Sequence, residues 1–355
     1  MQRVLHAIDY QAARAGSFIA ALRRLTSELQ KRGYRSLIVA PQASDAQAWV
    51  DLFDGNCVQI VRTGSYGGVA HLIRSFQPDI IHTHFSGYRV PATLAAIGRR
   101  ARVIWHMHGA LLPPTSGVRN AARCMKFRLL SRRADAILTV SESLRKELLG
   151  MGVPAARLSV VMNGIDTNRF RAPTLAERET ARRFLGIEDG CRVLLFFGRD
   201  RYIKGADLLA SALQAIDAHM RVICVASPPE VVSMMARRAE VISTGSVDDP
   251  RPFYWAADAL VMPSRYEGTP LTLLEARATG LPAVVSTIPA FEGLLDADDG
   301  VVVANHTDPH ALAEALMHPM PRRSMSGQAR DEISLDMWCE KVLAHYSRLG
   351  LSAIA

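Results

Sequence analysis

Short apolar runs alternate with segments of helical spacing along this chain, and that alternation constrains the fold more than any other feature. Residues 4–8, 35–40, 57–61, 79–82, 103–106, 136–140 and 158–162 read as strands. Between them, residues 17–32, 68–75, 90–99, 119–132 and 142–151 repeat apolar positions at helical spacing and carry charged outer faces. Strands that alternate with helices are joined by crossovers, and crossovers pair strands in parallel. A polar stretch, 167–189, holding Pro173 and many charges, interrupts the series. It then restarts, with strands at 193–197, 221–225, 240–243, 259–262, 283–286 and 301–303. The expectation is an α/β chain of two Rossmann-like doubly wound domains, 1–170 and 171–334. An amphipathic helix in 335–355, with Trp338, Val342 and Tyr346 on one stripe, is expected to pack back across them. With 355 residues, 49% of them hydrophobic, each domain can bury its own core. Ligands of open parallel sheets bind beyond the carboxyl ends of the strands, so two such domains facing one another predict a cleft site.

The charge is unevenly spread. Residues 1–170 hold 23 Lys and Arg against 10 Asp and Glu, and the remainder 19 against 24. A basic first half suits an anionic ligand, a membrane surface or nucleic acid, but aromatics are 6% and no RNA-binding signature is present, which argues against nucleic acid. Cys57, Cys124, Cys191, Cys224 and Cys339 are scattered, odd in number and without CxxC spacing, as in a reduced compartment. The first residues read as a strand, not a leader, and no apolar run is long enough to span a bilayer, so the expected location is the cytoplasm.

Two motifs in the second domain carry the chemistry. Arg265-Tyr266-Glu267-Gly268-Thr269-Pro270-Leu271 leads into a helix that carries Glu275, with Thr269 as expected N-cap and Pro270 as first helical residue. Glu267 then lies in the entering loop and Glu275 on the helix, and the N–H groups between them suit an anion. Together they fit a phosphorylated polyol, though a capped helix with two solvated glutamates fits the segment equally well. Gly198-Arg199-Asp200-Arg201-Tyr202-Ile203-Lys204-Gly205 follows the first strand of that domain. A planar Arg fork and a Lys point charge at a sheet's carboxyl edge suit a diphosphate; a solvated charged loop is the alternative.

In the first domain, Gly16 and Ser17 open a helix, where Gly16 allows close backbone approach and Ser17 can cap. The spacing is not G-x-G-x-x-G, which argues against a dinucleotide cofactor. His108-Gly109 ends a strand, where a neutral imidazole can meet a sugar hydroxyl or, equally, a nearby carbonyl. His82, His84 and His106 lie on similar strand ends, but no carboxylate or Cys stands at ligand spacing, so no metal site is assigned. Asp296-Ala297-Asp298-Asp299 precedes Gly300 and a strand and reads as a turn.

Taken in order, Gly16-Ser17, His108-Gly109, Asn163-Gly164-Ile165-Asp166, the G-R-x4-K-G of 198–205 and the E-x7-E of 267–275 resemble the GT-B fold, family 4 retaining glycosyltransferases over nearly the whole chain. The resemblance implies a nucleoside diphosphate sugar, UDP-, GDP- or ADP-linked, in the second domain and a glycan or lipid-linked acceptor in the first. It implies that Arg199 and Lys204 grip the diphosphate, Glu275 the ribose hydroxyls, and that Glu267 and His108 face the sugar. Gly16, Gly268, Thr269 and Leu271 would complete the cradle. No catalytic metal or other cofactor is implied. The chain departs from the family pattern in having one glycine at Gly16, and 288–292 where G-G-x-x-E is frequent. The donor sugar therefore stays open. A GT-B nucleotide-sugar epimerase or a non-catalytic nucleotide-sugar-binding partner of another transferase are the alternatives; retention of Glu267, Arg199, Lys204 and Glu275 argues against the second.

Arg119, Arg123, Lys126 and Arg133 recur on one helical face beside Leu129 and Leu130. Such a face suits peripheral docking at the inner side of an anionic plasma membrane, as in building exopolysaccharide, capsule or lipopolysaccharide, and also an ordinary solvated face.

Overall fold

A computed structural model describes the chain apart from residues 1, 13, 43–48, 54–57, 64–65, 113–115, 217–219, 293, 295–299, 306–307, 319 and 352–355. Cys57 and the Asp296 to Asp299 string lie outside the described residues. Packing divides the chain into two units, Met1–Gly164 with Leu335–Ala355, and Ile165–Ser334.

The first unit holds seven parallel strands: β1 Arg3–Ile8, β2 Arg35–Pro41, β3 Val58–Thr63, β4 Ile80–His84, β5 Arg102–Met107, β6 Ala136–Thr139 and β7 Leu158–Val160. Their order is β3-β2-β1-β4-β5-β6-β7, so the chain winds outward one way from β1 and then the other way from β4. Helices on both faces leave the central strands no wet side, which is why β1 and β4 are buried almost end to end. The helix Ser17–Lys31 buries Phe18, Ile19, Leu22, Leu25 and Leu29 at helical spacing.

The second unit repeats the plan with β8 Arg192–Phe197, β9 Met220–Val225, β10 Glu240–Thr244, β11 Ala259–Met262, β12 Ala283–Ser286 and β13 Val301–Ala304, in the parallel order β10-β9-β8-β11-β12-β13. It opens on the helix Leu175–Phe184, where Thr174 and Glu177 close a reciprocal capping box.

The expected strands and helices are present with ends moved by a few residues. The helix expected over 90–99 spans Arg89–Ala95, because the chain turns through Gly98 at φ +76. The division falls after Gly164 rather than at 170, since Ile165 already belongs to the second unit: its N–H donates to Ile333 O at 2.9 Å, and it bridges Ser334. The last helix, Leu335–Arg348, belongs to the first unit. Its stripe of Trp338, Val342 and Tyr346 is buried with Val4, Leu25, Ile104 and Leu138, at about 1.5–3 kcal/mol for each large apolar side chain.

Candidate functional site

In the second unit the winding direction reverses between β8 and β11, which are neighbours in the sheet. Loops leaving the carboxyl ends of two such strands diverge and open a crevice. The G-R-x4-K-G loop leaves β8 there, and the E-x7-E segment leaves β11.

The two loops touch through Gly205. Its φ of +67 is a left-handed conformation, and a Cβ on it would lie 2.0 Å from Pro263 O. Only glycine satisfies both conditions. This contact carries Lys204 to Glu267: Lys204 Nζ donates to Glu267 Oε1 at 2.6 Å, and Ser264 Oγ donates to the same oxygen at 2.8 Å. The Glu267 side chain is 8% exposed and Lys204 30%, so the carboxylate is nearly withdrawn from water while the ammonium still faces it. An ammonium has three N–H donors, and the pair leaves Lys204 able to meet a second anion. Arg265 fixes the base of the loop through Asp207, at 2.8 and 2.7 Å, with its guanidinium 4.4 Å from the centre of the Tyr202 ring. Arg199 is exposed, and its only hydrogen bond among the described residues is a long one to Ser246 Oγ, 3.4 Å.

Glu275 is 6% exposed and accepts from Tyr254 Oη at 2.6 Å. Burial, then the neighbouring carboxylate, holds the Tyr254 hydroxyl well above its ordinary pKa, so it stays a donor. Tyr254 in turn lies against the Phe197 ring at the end of β8, centroids 5.5 Å apart. Thr269 does not cap the helix: Pro270 takes the N-cap position, and the helix begins at Leu271. Pro270 takes an extended ψ of 105, so the helix starts one residue later than the Thr269 hydroxyl suggests. Gly268 and Thr269 are buried and Leu271 is half-buried.

In the first unit Gly16, not Ser17, is the N-cap of its helix. Gly16 N donates to Tyr10 Oη at 3.0 Å, and a Cβ at Gly16 would meet that same oxygen at 3.0 Å. Its freedom of approach therefore serves the Tyr10 ring, and a phosphate would have to displace that hydroxyl. Asp166 caps a local turn, accepting from Asn168 N and Arg169 N at 3.1 and 3.0 Å.

Five histidines gather along β1, β4 and β5, His6 and His82 within the strands and His84, His106 and His108 toward their carboxyl ends. His108 Nδ1 lies 3.1 Å from Asn163 Oδ1, its Nε2 lies 3.0 Å from His84 Nδ1, and His84 Nε2 lies 3.4 Å from His6 Nδ1. His82 Nδ1 is 2.6 Å from Tyr346 Oη. Burial pushes His6 down to about 3 and His108 to about 4, and His82, His84 and His106 also lie well below the usual value, so all five rings are neutral near pH 7. Ring nitrogens of His6, His82 and His84, and of His84, His106 and His108, lie within 4.8 Å of one another. His106 and His108 are stacked, with centroids 4.1 Å apart and planes 24° from parallel, while His6–His82, His82–His84 and His84–His106 are tilted by 42°, 32° and 30°. Phe85, beside His108 at 4.9 Å, holds a φ of +64, a costly conformation for an aromatic residue at the mouth of this cluster.

The helix Gly117–Leu130 displays Arg119 and Lys126 to solvent, with Arg123 partly covered and donating to Leu112 O and Asn120 Oδ1. Arg133 stands beyond it, in the 3-10 turn Ser131–Arg133. Val118, Met125 and Leu129 are 81%, 54% and 56% exposed among these cations. No described helix is long and apolar enough to cross a membrane.

Sequence reasoning missed Tyr254, Ser264 and Asn163 as partners of the predicted residues. Ser264 sits three residues before Glu267 and was within reach of a local reading; Tyr254 and Asn163 carry no local signal.

Residues 20–169 match the family described as Glycosyltransferase Family 4, and residues 191–320 that described as Glycosyl transferases group 1. A D-inositol 3-phosphate glycosyltransferase of Corynebacterium aurimucosum is 27% identical over 74% of this chain and 69% of its own length. The lipopolysaccharide core biosynthesis mannosyltransferase LpsB of Rhizobium meliloti is 31% identical over 57% of this chain and 62% of its own. Among solved structures, Anabaena HepE in complex with UDP and glucose is similar with a TM-score of 0.81, at 16% identity, over 98% of this chain and 100% of that one.

Proposed function

Since the chain belongs to the family 4, group 1 glycosyltransferases and has their GT-B fold of two parallel-sheet Rossmann-like domains, we propose that it moves a sugar from a nucleoside diphosphate to a glycan or lipid-linked acceptor with retention of anomeric configuration. The observation that carries this reading is the Lys204–Glu267 pair, which joins the two loops leaving the switch point where Gly205 holds them in contact; Arg199 lies on the first loop and Glu275 on the helix after the second. Arg199 and the remaining N–H groups of Lys204 would neutralise the leaving diphosphate. Glu275, held by Tyr254, would take the ribose hydroxyls, and Glu267 the transferred sugar. The family pattern has no firmly established protein nucleophile, so catalysis would rest on positioning and on electrostatic stabilisation of an oxocarbenium-like state. The mechanism so drawn calls on no metal.

The UDP and glucose in the HepE structure support a UDP-sugar as first donor to test. The lipopolysaccharide role of LpsB, together with the basic first half of the chain, supports an anionic surface-polysaccharide acceptor met at the inner face of the plasma membrane. A thermal-shift screen with UDP, GDP and ADP tests the donor site, since a ligand of the native state raises apparent stability. One nucleotide should raise the midpoint, and Lys204→Ala and Glu275→Ala should each abolish most of the shift. No shift with any of the three, or shifts unchanged in both variants, would sink the reading.

A further inference from the structure

Tyr254 and Glu275 meet from two helices of the second unit, Arg251–Ala256 and Leu271–Ala278, and each helix leaves its last carbonyls without an intrahelical partner. One guanidinium reaches both ends. Arg322 Nη1 donates to Thr279 O, at the end of the Glu275 helix, at 3.1 Å. Its Nη2 donates to Tyr254 O, to Trp255 O at 3.0 Å and to Ala257 O at 2.8 Å, at the end of the Tyr254 helix. The backbone beside it is pinned as well, since Arg323 N donates to Gly280 O at 3.1 Å. Burial, then the neighbouring Arg178, holds Arg322 down to about 9, so it stays charged near pH 7. Among the described residues no carboxylate is hydrogen-bonded to it, and the nearby Asp258 is held by Arg178 at 2.6 Å. The negative ends of the two helices stand where a counter-ion would. Of these two helices, Arg178 and Arg182 reach only the one that carries Tyr254, Arg178 at Trp255 O and Ala257 O and Arg182 at Ala256 O.

We propose that Arg322 is a positioning residue for the ribose carboxylate: by joining the ends of the two helices it fixes the approach of Tyr254 Oη to Glu275 Oε2, 2.6 Å, and so aims Glu275 at the nucleoside. The inference rests on the reading of Glu275 as the ribose contact. It brings into nucleoside recognition a side chain that no motif singles out and that lies beyond 191–320, the residues that match the family.

The Cζ resonance of Tyr254 in the ¹³C-tyrosine-labelled full chain, assigned by its loss in Tyr254→Phe, reports the phenol's hydrogen bond without any ligand. Arg322→Met should shift it, and Arg178→Met, which frees only one helix end, should leave it in place. Calorimetry then reads the preference for a nucleoside diphosphate, the one of UDP, GDP and ADP that the thermal-shift screen selects, over its 2′,3′-dideoxy analogue. That preference, ~10-fold or more in the wild type, should fall to about threefold in Arg322→Met and stay within about twofold of the wild type in Arg178→Met. Inorganic pyrophosphate, which has no ribose, should bind Arg322→Met within about twofold of the wild type. Arg322→Met combined with Tyr254→Phe should discriminate as well as Tyr254→Phe alone, because both act by one route. Arg322→Lys keeps the charge but not the planar fork, so it should lose as much preference as Arg322→Met, and it carries the test should Arg322→Met not fold. An unmoved Tyr254 resonance or an undiminished preference in the Arg322 variants overturns the proposal. So does an equal loss in Arg178→Met, a further loss in the double variant, or weakened binding of pyrophosphate. If the wild type itself shows no ribose preference, or Glu275→Ala keeps it, the ribose reading of Glu275 fails instead, and the resonance alone judges whether Arg322 sets the contact of Tyr254 with Glu275.

Discussion

Lys204 Nζ lies 2.6 Å from Glu267 Oε1, across 63 residues of sequence. The pair couples the residue read as a diphosphate grip to the one read as facing the sugar. Lys204→Ala should weaken binding of the cognate nucleoside diphosphate by about 10- to 100-fold in calorimetry, the scale of a lost charge-assisted contact. It should also destabilise, by ~1–3 kcal/mol, because Glu267 remains buried without its cation. The double variant Lys204→Met with Glu267→Gln should recover part of that stability and none of the binding. A full additive loss of stability would mean the two side chains do not interact in solution.

Gly205→Ala should cost ~2–4 kcal/mol, since the new methyl meets a backbone carbonyl and the residue is held at a positive φ. Urea denaturation reads the effect directly. A loss below about 0.5 kcal/mol would show that the loops separate easily and that Lys204 and Glu267 are not held together by them.

Glu275 offers a test by substrate alteration. If it holds ribose, the wild type should prefer a nucleoside diphosphate over its 2′,3′-dideoxy analogue by ~10-fold or more, and Glu275→Ala should discriminate far less. Tyr254→Phe should lower the preference partway, because the carboxylate loses the phenol that aims it. Equal discrimination by wild type and Glu275→Ala would remove the ribose role.

Stability should fall in mild acid. The five histidines have folded pKa values below 6.5, His6 at about 3 and His108 at about 4, so the unfolded chain binds more protons as the pH drops. Their contribution is complete above pH 6.5 and is lost progressively toward the folded values, each ring giving up to about 1.4 kcal/mol per pH unit. The urea midpoint should therefore hold level from pH 8 to 7 and drop steeply below pH 6. A midpoint unchanged at pH 5 would contradict the neutral, buried cluster.

The exposed basic and apolar face of Gly117–Leu130 predicts flotation with vesicles rich in anionic lipid at low salt, lost at high salt. Reversal of Arg119 and Lys126 to Glu should abolish it. Equal flotation with neutral vesicles would exclude an electrostatic cause.

Much of this was legible in the sequence, because strand and helix patterns are local and the motifs sit where strands end. The stripe of Trp338, Val342 and Tyr346 announced a buried face, though not that the helix belongs to the first unit's core, which depends on side chains more than 190 residues away such as Ile104 and Leu138. The order of Arg199, Lys204, Glu267 and Glu275 was visible too. Their pairing was not, since Lys204 reaches Glu267 only once β8 and β11 lie side by side, and Tyr254 meets Glu275 from a separate helix 21 residues upstream. The Thr269 cap failed because Pro270 stays extended and takes the cap position itself. The contact of Asn163 with His108 was not legible either, since the ring lies 55 residues upstream.

The pairing of Ile165 with Ile333 and Ser334 brings the two ends of the second unit together. A segment whose ends meet can be lifted out as a closed cassette. The gap left between Gly164 and Leu335 then marks where the corresponding unit of another transferase could be spliced, with the first unit and its closing helix kept in one piece.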